Sequence, residues 1–310
     1  MEAQDRKIDR IINVLSKCLH GKEHSLRLAL IGVFSRGHLL IEDLPGLGKT
    51  TLAVAVAKAL GLSFGRIQCT SDLLPTDITG LSIYKKNTGE FEFHPGPIFN
   101  NIVLVDEINR ATPKTQSALL EGMGEKQTTI EGRTYRLPQP FFVIATQNPI
   151  EQFGTYPLPE SQLDRFMMKI SIGYMSREAE REILLNGSRR GDLYGLEPAM
   201  TVAEVTGLQE HIKKNVYISD KVLEYILDII TATRKSSYIL AGISTRGALA
   251  INETAKTNAY FQGRDFVIPE DIKGLAEYVI PHRIVLKEEH GHLDKREIVR
   301  SIIEQIPVPA

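Results

Sequence analysis

The residues best suited to chemistry form a short loop between an apolar run and a helical pattern. Residues 43–50 read DLPGLGKT, and they lie between the apolar residues 39–41 and the helical pattern of residues 51–60. A glycine-containing loop that opens a helix with Gly-Lys-Thr directs backbone N–H groups and the positive end of the helix toward phosphate oxygens. We therefore predict a nucleotide site made by Pro45, Gly46, Leu47, Gly48, Lys49, Thr50 and Thr51.

Two side chains of this loop have separate expected tasks. Lys49 would contact the β- and γ-phosphates, and the Thr50 hydroxyl would ligate Mg²⁺, so the expected cofactors are ATP and Mg²⁺. The loop departs from the usual pattern at one position, because Asp43 stands where a glycine is expected six residues before the lysine. The alternative interpretation is an ordinary strand–turn–helix junction with Pro45 and Gly46 in its turn.

A pair of acids follows a second apolar run. Residues 102–105 are all apolar, as expected for a strand buried on both faces of a parallel sheet, and Asp106 and Glu107 come directly after them. Because an unpaired buried charge is costly, two acids at this place indicate a function. We expect Asp106 to hold Mg²⁺ together with Thr50, and Glu107 to orient and activate an attacking water. Alternatively, the two acids only cap the following helix.

An amide is the next candidate. Asn148 follows the apolar run of residues 141–145, and ligands of open α/β sheets bind at the carboxyl ends of the strands. Its side chain could hold the attacking water beside Glu107 and respond to loss of the γ-phosphate. The alternative is that Asn148 and Pro149 only form a turn.

Two arginines could supply positive charge to the transition state. Arg165 stands just before the last predicted strand, so it would point away from its own nucleotide and could enter the site of a neighbouring subunit. Arg246 opens a predicted helix with Ser244 or Thr245 as its cap, and it could move over the phosphates as two domains close. Either arginine could instead be simply exposed or ion-paired.

The patterns that surround these residues indicate two domains. The chain has 310 residues, and apolar runs alternate with helical patterns as far as about residue 175, after which the patterns are helical. We predict an α/β nucleotide-binding domain over residues 1–190 and a smaller all-α domain over residues 191–310, joined near the Gly-containing stretch 187–198. Two hairpins are expected near residues 81–93 and 128–137.

Composition limits the partners and the compartment. The formal net charge of −1 argues against a surface that grips nucleic acid over its whole extent. The two cysteines, Cys18 and Cys69, have no metal-type spacing and predict no disulfide framework, which fits a reducing cytoplasm. No signal peptide is evident and no run of 18 apolar residues exists, so we expect a cytoplasmic protein without a membrane span.

In this order the residues resemble those of an AAA+ ATPase, a P-loop NTPase with a parallel sheet flanked by helices and a smaller all-α lid. The closer resemblance is to the MoxR family, in which an Asp also occurs at the position of Asp43. The family often has Ser-Pro-Arg where this chain has Ser-Thr-Arg, ending at Arg246. The resembling runs are residues 42–50, 94–99, 104–111, 145–149, 158–166, 264–272 and 281–284.

The resemblance implies an ATP-hydrolysing chaperone that remodels or assembles partner proteins, often partners with a von Willebrand factor A domain. It further implies a hexameric ring in which both hairpins face a central pore, Arg165 acts across a subunit junction, and Arg246 serves as a second sensor.

Three alternatives stay open at this point. One is a nucleic-acid-dependent motor that uses Lys126, Arg133 and Arg136 of the second hairpin. Another is the motor subunit of a metal-inserting chelatase. The third is a nucleotide-binding scaffold, and Glu107 argues against it because a scaffold needs no residue that activates water.

Overall fold

The computed structural model describes residues 2–16, 19, 21–87, 89–150, 154–187, 191, 193 and 195–309. Its helices are α1 (Glu2–Ser16), α2 (Glu23–Phe34), α3 (Lys49–Ala59), α4 (Pro75–Thr79), α5 (Pro113–Glu125), α6 (Glu160–Leu163), α7 (Arg177–Asn186), α8 (Val202–Asn215), α9 (Asp220–Lys235), α10 (Thr245–Phe261), α11 (Pro269–Val279) and α12 (Lys295–Gln305). Its strands are β1 (Leu39–Glu42), β2 (Phe64–Gln68), β3 (Gly80–Lys85), β4 (Glu90–Pro95), β5 (Ile102–Asp106), β6 (Gln127–Ile130), β7 (Arg133–Arg136), β8 (Phe142–Gln147), β9 (Met168–Ile170), β10 (Ile239–Ala241) and β11 (Val285–Leu286).

A five-stranded parallel sheet in the order β2-β5-β8-β1-β9 forms the centre of the α/β part. All residues of β5 are buried, as the apolar run predicted for a strand covered on both faces. The phosphate loop leaves the carboxyl end of β1, Asp106 ends β5, and β8 lies between these two strands. The sheet order therefore brings the loop and the acid pair to the same edge.

The part after residue 200 is helical, with one short antiparallel pair between β10 and β11. The sequence patterns indicated neither this pair nor α12. Strands of two and three residues are too short to show a period of two. The amphipathic α12 buries Val299 and Ile303 among mostly charged and polar residues, which weakens its apolar signal.

One hydrophobic core runs through the α/β part and the helical part. Helices α8 and α10 pack on α2, where Gln209 Nε2 donates to the carbonyl of Val33 (2.7 Å) and Ser35 Oγ donates to Thr257 Oγ1 (2.8 Å). Part of the predicted linker, namely residues 188–190, 192 and 194, lies outside the described residues. Beyond it, the N–H of Ala199 donates to a carbonyl of α3. The boundary at residue 190 stays a prediction.

Two antiparallel hairpins, β3–β4 and β6–β7, project from the α/β part at the predicted places. They are joined at their bases by an aromatic stack, since the Phe93 and Tyr135 rings lie 4.2 Å apart at 25°. Tyr84 and Phe91 pack against each other nearer the end of the first hairpin and are exposed. An aromatic row therefore leads from the stacked base toward solvent.

Two further expectations concern membrane spans and the cysteines. None of the described helices combines the length and the apolar character that a membrane crossing requires. Cys69 is a free, buried thiol, and Cys18 lies outside the described residues. Burial raises the pKa of Cys69 to about 12, so this thiol stays protonated.

Candidate active site

The phosphate loop is an open turn that leads directly into α3. Gly46 (φ 85°) and Gly48 (φ 92°) occupy the left-handed region that glycine favours, and Gly48 immediately precedes the helix. A Cβ built on either glycine would meet no atom within 4 Å. The first N–H groups of α3 have no partner within the helix, so the open loop and the helix end fit a phosphate group.

Lys49 lies buried inside the loop. Its Nζ donates to the backbone carbonyl of Asp43 at 2.6 Å. Burial lowers the pKa of Lys49, and the nearby carboxylates of Asp43, Asp106 and Glu107 raise it. The cation is therefore close to the acid pair and is held by a neutral carbonyl, which it can exchange for a phosphate oxygen.

The Asp106 carboxylate is buried, and each of its oxygens accepts a hydrogen bond. Its Oδ1 accepts from Thr146 Oγ1 at 2.9 Å, and its Oδ2 accepts from Arg66 Nη2 at 2.7 Å and Nε at 3.2 Å. Thr50 lies in the first turn of α3 and is half-buried. A carboxylate and a hydroxyl are ligands that suit a Mg²⁺ ion whose other ligands are phosphate oxygens and waters.

Glu107 has a strained backbone at the end of β5. Its φ of 57° and ψ of 51° place a non-glycine residue in the left-handed region, at a cost of about 1–3 kcal/mol. Its N–H donates to Thr146 Oγ1 at 2.9 Å. Its Oε2 accepts from Arg110 Nη1 at 3.2 Å and from Gln68 Nε2 at 3.4 Å. Such strain clusters at functional sites, and here it turns the chain sharply just after Asp106.

Thr146 joins the two acids, and sequence reasoning missed it. Its hydroxyl donates to Asp106 and accepts from the Glu107 N–H, and the side chain is fully buried. A hydroxyl directly after the apolar run of residues 141–145 is a signal in the sequence. Its meaning depends on β8 lying next to β5, which the sequence does not state. Arg66 and Gln68 were missed for the same reason, because β2 is the other neighbour of β5.

Asn148 lies one residue beyond β8, beside the phosphate loop. The N–H of Asp43 donates to the carbonyl of Gln147 at 3.1 Å, so Asn148 comes directly after the last backbone hydrogen bond between the ends of β1 and β8. Asn148 Oδ1 accepts the N–H of Ile150 at 3.2 Å, which is the turn chemistry weighed above. The side chain also lines a crevice of about 440 Å³ together with Asn109. The structure thus puts Asn148 at the predicted edge, where Thr146 contacts Glu107.

Arg165 lies at the opposite edge of the sheet from the phosphate loop. The N–H of Met167 donates to the carbonyl of His38, just before β1 begins. The five residue-to-residue steps from position 38 to position 43 span roughly 16 Å at about 3.3 Å each. Arg165 Nη1 donates to the carbonyl of Leu120 on α5 at 2.6 Å, and a Cβ on Gly124 would lie 2.7 Å from the same nitrogen. This placement favours a role of Arg165 outside its own nucleotide site.

Arg246, in the first turn of α10, pairs with a carboxylate of the α/β part. Its expected movement over the phosphates as the domains close stays a prediction. Its Nη1 is 3.7 Å from Oδ2 of Asp164, the residue before Arg165. Ser244 caps α10 as predicted, since its Oγ accepts the N–H of Gly247 at 3.1 Å, and it also donates to Asp164. The pairing with Asp164 places Arg246 at the edge of the sheet where Arg165 lies.

A parallel sheet with a Gly-Lys-Thr loop after β1, an Asp-Glu pair after β5 and a helical lid defines a P-loop ATPase of the AAA+ class. Residues 38–168 match the family described as "ATPase family associated with various cellular activities (AAA)", and residues 231–302 match the "AAA lid domain". The chain belongs to the MoxR family of AAA+ ATPases, as the relatives with which it aligns over most of its length show.

Two relatives and one solved structure illustrate this similarity. The chain is 37% identical to Chaperone MoxR1 of Mycobacterium tuberculosis, with 100% of this chain and 84% of that protein covered. It is 44% identical to the uncharacterized protein YeaC of Bacillus subtilis, with 97% of this chain and 95% of that protein covered. It is also similar to the crystal structure of a candidate ATPase from Cytophaga hutchinsonii, with a sequence identity of 42% and a TM-score of 0.91. The match covers 99% of this chain and 96% of that one.

Proposed function

We propose that this protein hydrolyses ATP and uses the energy to remodel or assemble partner proteins. The observation that carries the proposal is the meeting of Lys49, Asp106 and Glu107 at one edge of the sheet, with the hydroxyl of Thr146 between the two acids. The relative named Chaperone MoxR1 supports the remodelling role.

Each residue of this site has a task that its surroundings support. The N–H groups of the loop and Lys49 bind the β- and γ-phosphates. Thr50 and Asp106 hold Mg²⁺, which when bound neutralises charge on the phosphate oxygens. Glu107 orients the attacking water and takes up its proton, and Thr146 fixes the backbone from which Glu107 projects. Asn148 approaches the γ-phosphate from the turn after β8.

Arg165 acts on a neighbouring subunit, and Arg246 acts as a second sensor that moves over the phosphates as the domains close. Arg165 lies roughly one strand length from its own phosphate loop, and Arg246 pairs with Asp164. In a closed ring, which we infer to be hexameric, that edge meets the nucleotide site of the next copy. Arg165 would then stabilise charge on the transferred phosphoryl group there. The client we propose is a protein with a von Willebrand factor A domain.

The role of Glu107 is tested by steady-state phosphate release. Glu107→Gln keeps the size of the side chain and removes its basicity, so we expect turnover to fall about 10²- to 10⁴-fold while ATP still binds. Glu224→Gln, the same change at an exposed position of α9, should leave turnover as it is. An undiminished rate for Glu107→Gln would remove the assigned role.

Shared sites are tested by mixing inactive subunits. Arg165→Ala subunits lack the cation given to the neighbour, and Lys49→Ala subunits lack their own phosphate contact. A mixture should regain part of the phosphate release, because some junctions then combine an intact loop with an intact Arg165. Absence of recovery at every ratio would contradict action across the junction.

The client is tested by capture on the Glu107→Gln variant in the presence of ATP. We expect enrichment of proteins with a von Willebrand factor A domain relative to the Lys49→Ala variant, which should bind ATP more weakly. Phosphate release stimulated by DNA, with a steep dependence on salt, would instead favour a nucleic-acid motor.

A further inference from the structure

The phosphate loop is tied at its first residue to the chain that follows β9. The Asp43 side chain is buried, and its Oδ2 accepts from Ser171 Oγ at 3.0 Å, from the N–H of Gly173 at 2.8 Å and from the N–H of Ile172. A glycine at position 43, as in the usual loop pattern, could make none of these bonds. The one departure from the pattern is thus the residue that makes the connection.

A buried lysine holds the same segment from the other side. Lys22, just before α2, donates from Nζ to the carbonyls of Ile172 and Gly173 and is only 3% exposed. Burial lowers the pKa of Lys22, and the Asp43 carboxylate raises it. The N–H groups of residues 172 and 173 therefore donate to the Asp43 carboxylate, and their carbonyls accept from the Lys22 ammonium.

This connection leads into α7 and to the start of α2. A Cβ on Gly21 would contact Ala179 of α7 at 3.6 Å, so the turn before α2 packs on the first turn of α7. Hydrogen bonds to a charged acceptor are the stronger ones, and a buried charge that loses its partners is costly. Three segments are thus fixed to one another at the residue where the phosphate loop begins.

Asp43 also contacts the residue that would bind phosphate. Its backbone carbonyl accepts from Lys49 Nζ, while its carboxylate holds residues 171–173. When Lys49 turns to a phosphate oxygen, the bond to the Asp43 carbonyl is given up. A change at this carbonyl would act on Asp43, the same residue that holds the connection before α7.

We propose that Asp43, with Lys22, is a positioning residue that transmits occupancy of the phosphate loop to the connection between β9 and α7. The tie itself does not depend on the proposed function. Its response to nucleotide rests on that function, so the two parts are tested separately.

The tie is tested by hydrogen exchange of individual backbone amides in nucleotide-free protein. Asp43→Gly restores the usual loop pattern, and Asp43→Asn keeps the shape while removing the charge. We expect the Ile172 and Gly173 amides to exchange about tenfold faster or more in Asp43→Gly and by an intermediate factor in Asp43→Asn. Asp77→Asn is the matched control, since Asp77 accepts the N–H of Leu74 at a distant turn. Unchanged exchange in both Asp43 variants would overturn the tie.

Transmission is tested by adding a non-hydrolysable ATP analogue with Mg²⁺. In the unaltered protein, exchange at Ile172 and Gly173 should slow by about threefold or more, and Asp43→Asn should bind the analogue without this slowing. Lys22→Met should lose the response in the same way. If the unaltered protein binds the analogue and these amides do not respond, transmission is wrong. If it does not bind, the proposed function fails while the tie, already measured without nucleotide, stands.

Discussion

At the scale of single residues, the site is a set of buried polar atoms that satisfy one another. The Thr146 hydroxyl donates its one hydrogen bond to Asp106 and accepts a hydrogen bond from the backbone N–H of Glu107. Arg66 balances the charge of Asp106 from the neighbouring strand. The two acids therefore have fixed positions before any phosphate arrives, as electrostatic preorganisation requires.

Thr146→Val tests this arrangement with almost no change of shape. The variant leaves a buried carboxylate oxygen and a buried N–H without their partner, which costs about 1–3 kcal/mol for each group. We expect a lower melting temperature and reduced phosphate release with near-normal nucleotide affinity. Thr129→Val, the same change at an exposed position of β6, should alter neither quantity. Full activity in Thr146→Val would mean that Glu107 needs no such support.

Two buried histidines make stability depend on pH. His38 Nδ1 accepts the N–H of Val143 at 3.0 Å, so its neutral ring donates from Nε2 to the carbonyl of Met123 at 3.1 Å. Burial lowers the pKa of His38 from 6.5 to about 4, and burial lowers the pKa of His282 as well. The unfolded chain then takes up protons first, so stability is complete above about pH 6.5 and is lost as the pH falls toward 4.

The expected loss is up to about 1.4 kcal/mol per pH unit for each histidine within that window. Denaturant unfolding at a series of pH values measures the slope. His38→Gln should lower stability at pH 7 but reduce the slope between pH 6.5 and 4. An unchanged slope in the variant would show that His38 does not titrate as described.

The phosphate loop and the acid pair could be predicted because each is a short run of residues at the end of an apolar strand. The residue types and spacing within each run indicate its chemistry. Thr146, Arg66 and Asp164 could not be predicted, because each acts through a partner that only the strand order or the packing of the lid brings near. The pairing of Arg246 with Asp164 depends on how the lid packs, which no local pattern of residues encodes.

At the scale of elements, the two hairpins behave as one unit. Phe93 of β4 stacks on Tyr135 of β7, and Phe99 contacts both rings edge-on, at 5.4 Å and 6.4 Å between centroids. Alternation of side chains along β4 puts Phe91 on the same face as Phe93. We therefore expect a displacement of one hairpin base to be passed to the other and to the exposed aromatic pair near the end.

Tyr135→Ala should release the first hairpin. Loss of an aromatic pair costs about 0.5–1.5 kcal/mol beyond the buried area, so residues 80–95 should exchange their amide hydrogens faster while nucleotide affinity stays the same. Tyr84→Ala removes an exposed ring of similar size and should leave exchange at the base of the hairpin unchanged. Equal exchange in the two variants would show that the stack does not couple the hairpins.

Elements were predicted well where apolar periodicity was strong. The buried strands and the hairpins were placed within a few residues, because continuous apolar runs and Gly-containing turns identify them. The pair β10–β11 was not predicted, because strands of three and two residues pair through tertiary packing and show no pattern of their own.

At the scale of the whole molecule, Asp164 connects the lid to the sheet. Arg283 has only 2% of its side chain exposed and donates from Nε to Asp164 Oδ1 at 3.1 Å. It also donates to the carbonyls of Phe166 and Met167. Burial lowers the pKa of Arg283 to about 10, and Asp164 raises it. The lid is therefore attached to the sheet through the buried Arg283, and the carboxylate that pairs with it is Asp164, the residue before Arg165.

Asp164→Asn should weaken this attachment. The change leaves a buried guanidinium without its anion, and we expect a loss of up to about 3 kcal/mol in the free energy of unfolding, together with weaker activation across subunits. Asp220→Asn, at the exposed start of α9, is the matched control. Thermal unfolding of both variants gives the comparison, and equal melting temperatures would show that Asp164 does not hold the lid.

The central claim is that residues 43–50 bind ATP with Mg²⁺, and calorimetric titration with a non-hydrolysable ATP analogue tests it most directly. We expect saturable binding to the unaltered protein, and binding at least about tenfold weaker to Lys49→Ala, because a charged hydrogen bond to phosphate is lost. Absence of binding at millimolar analogue, or equal binding by the two proteins, would contradict the account.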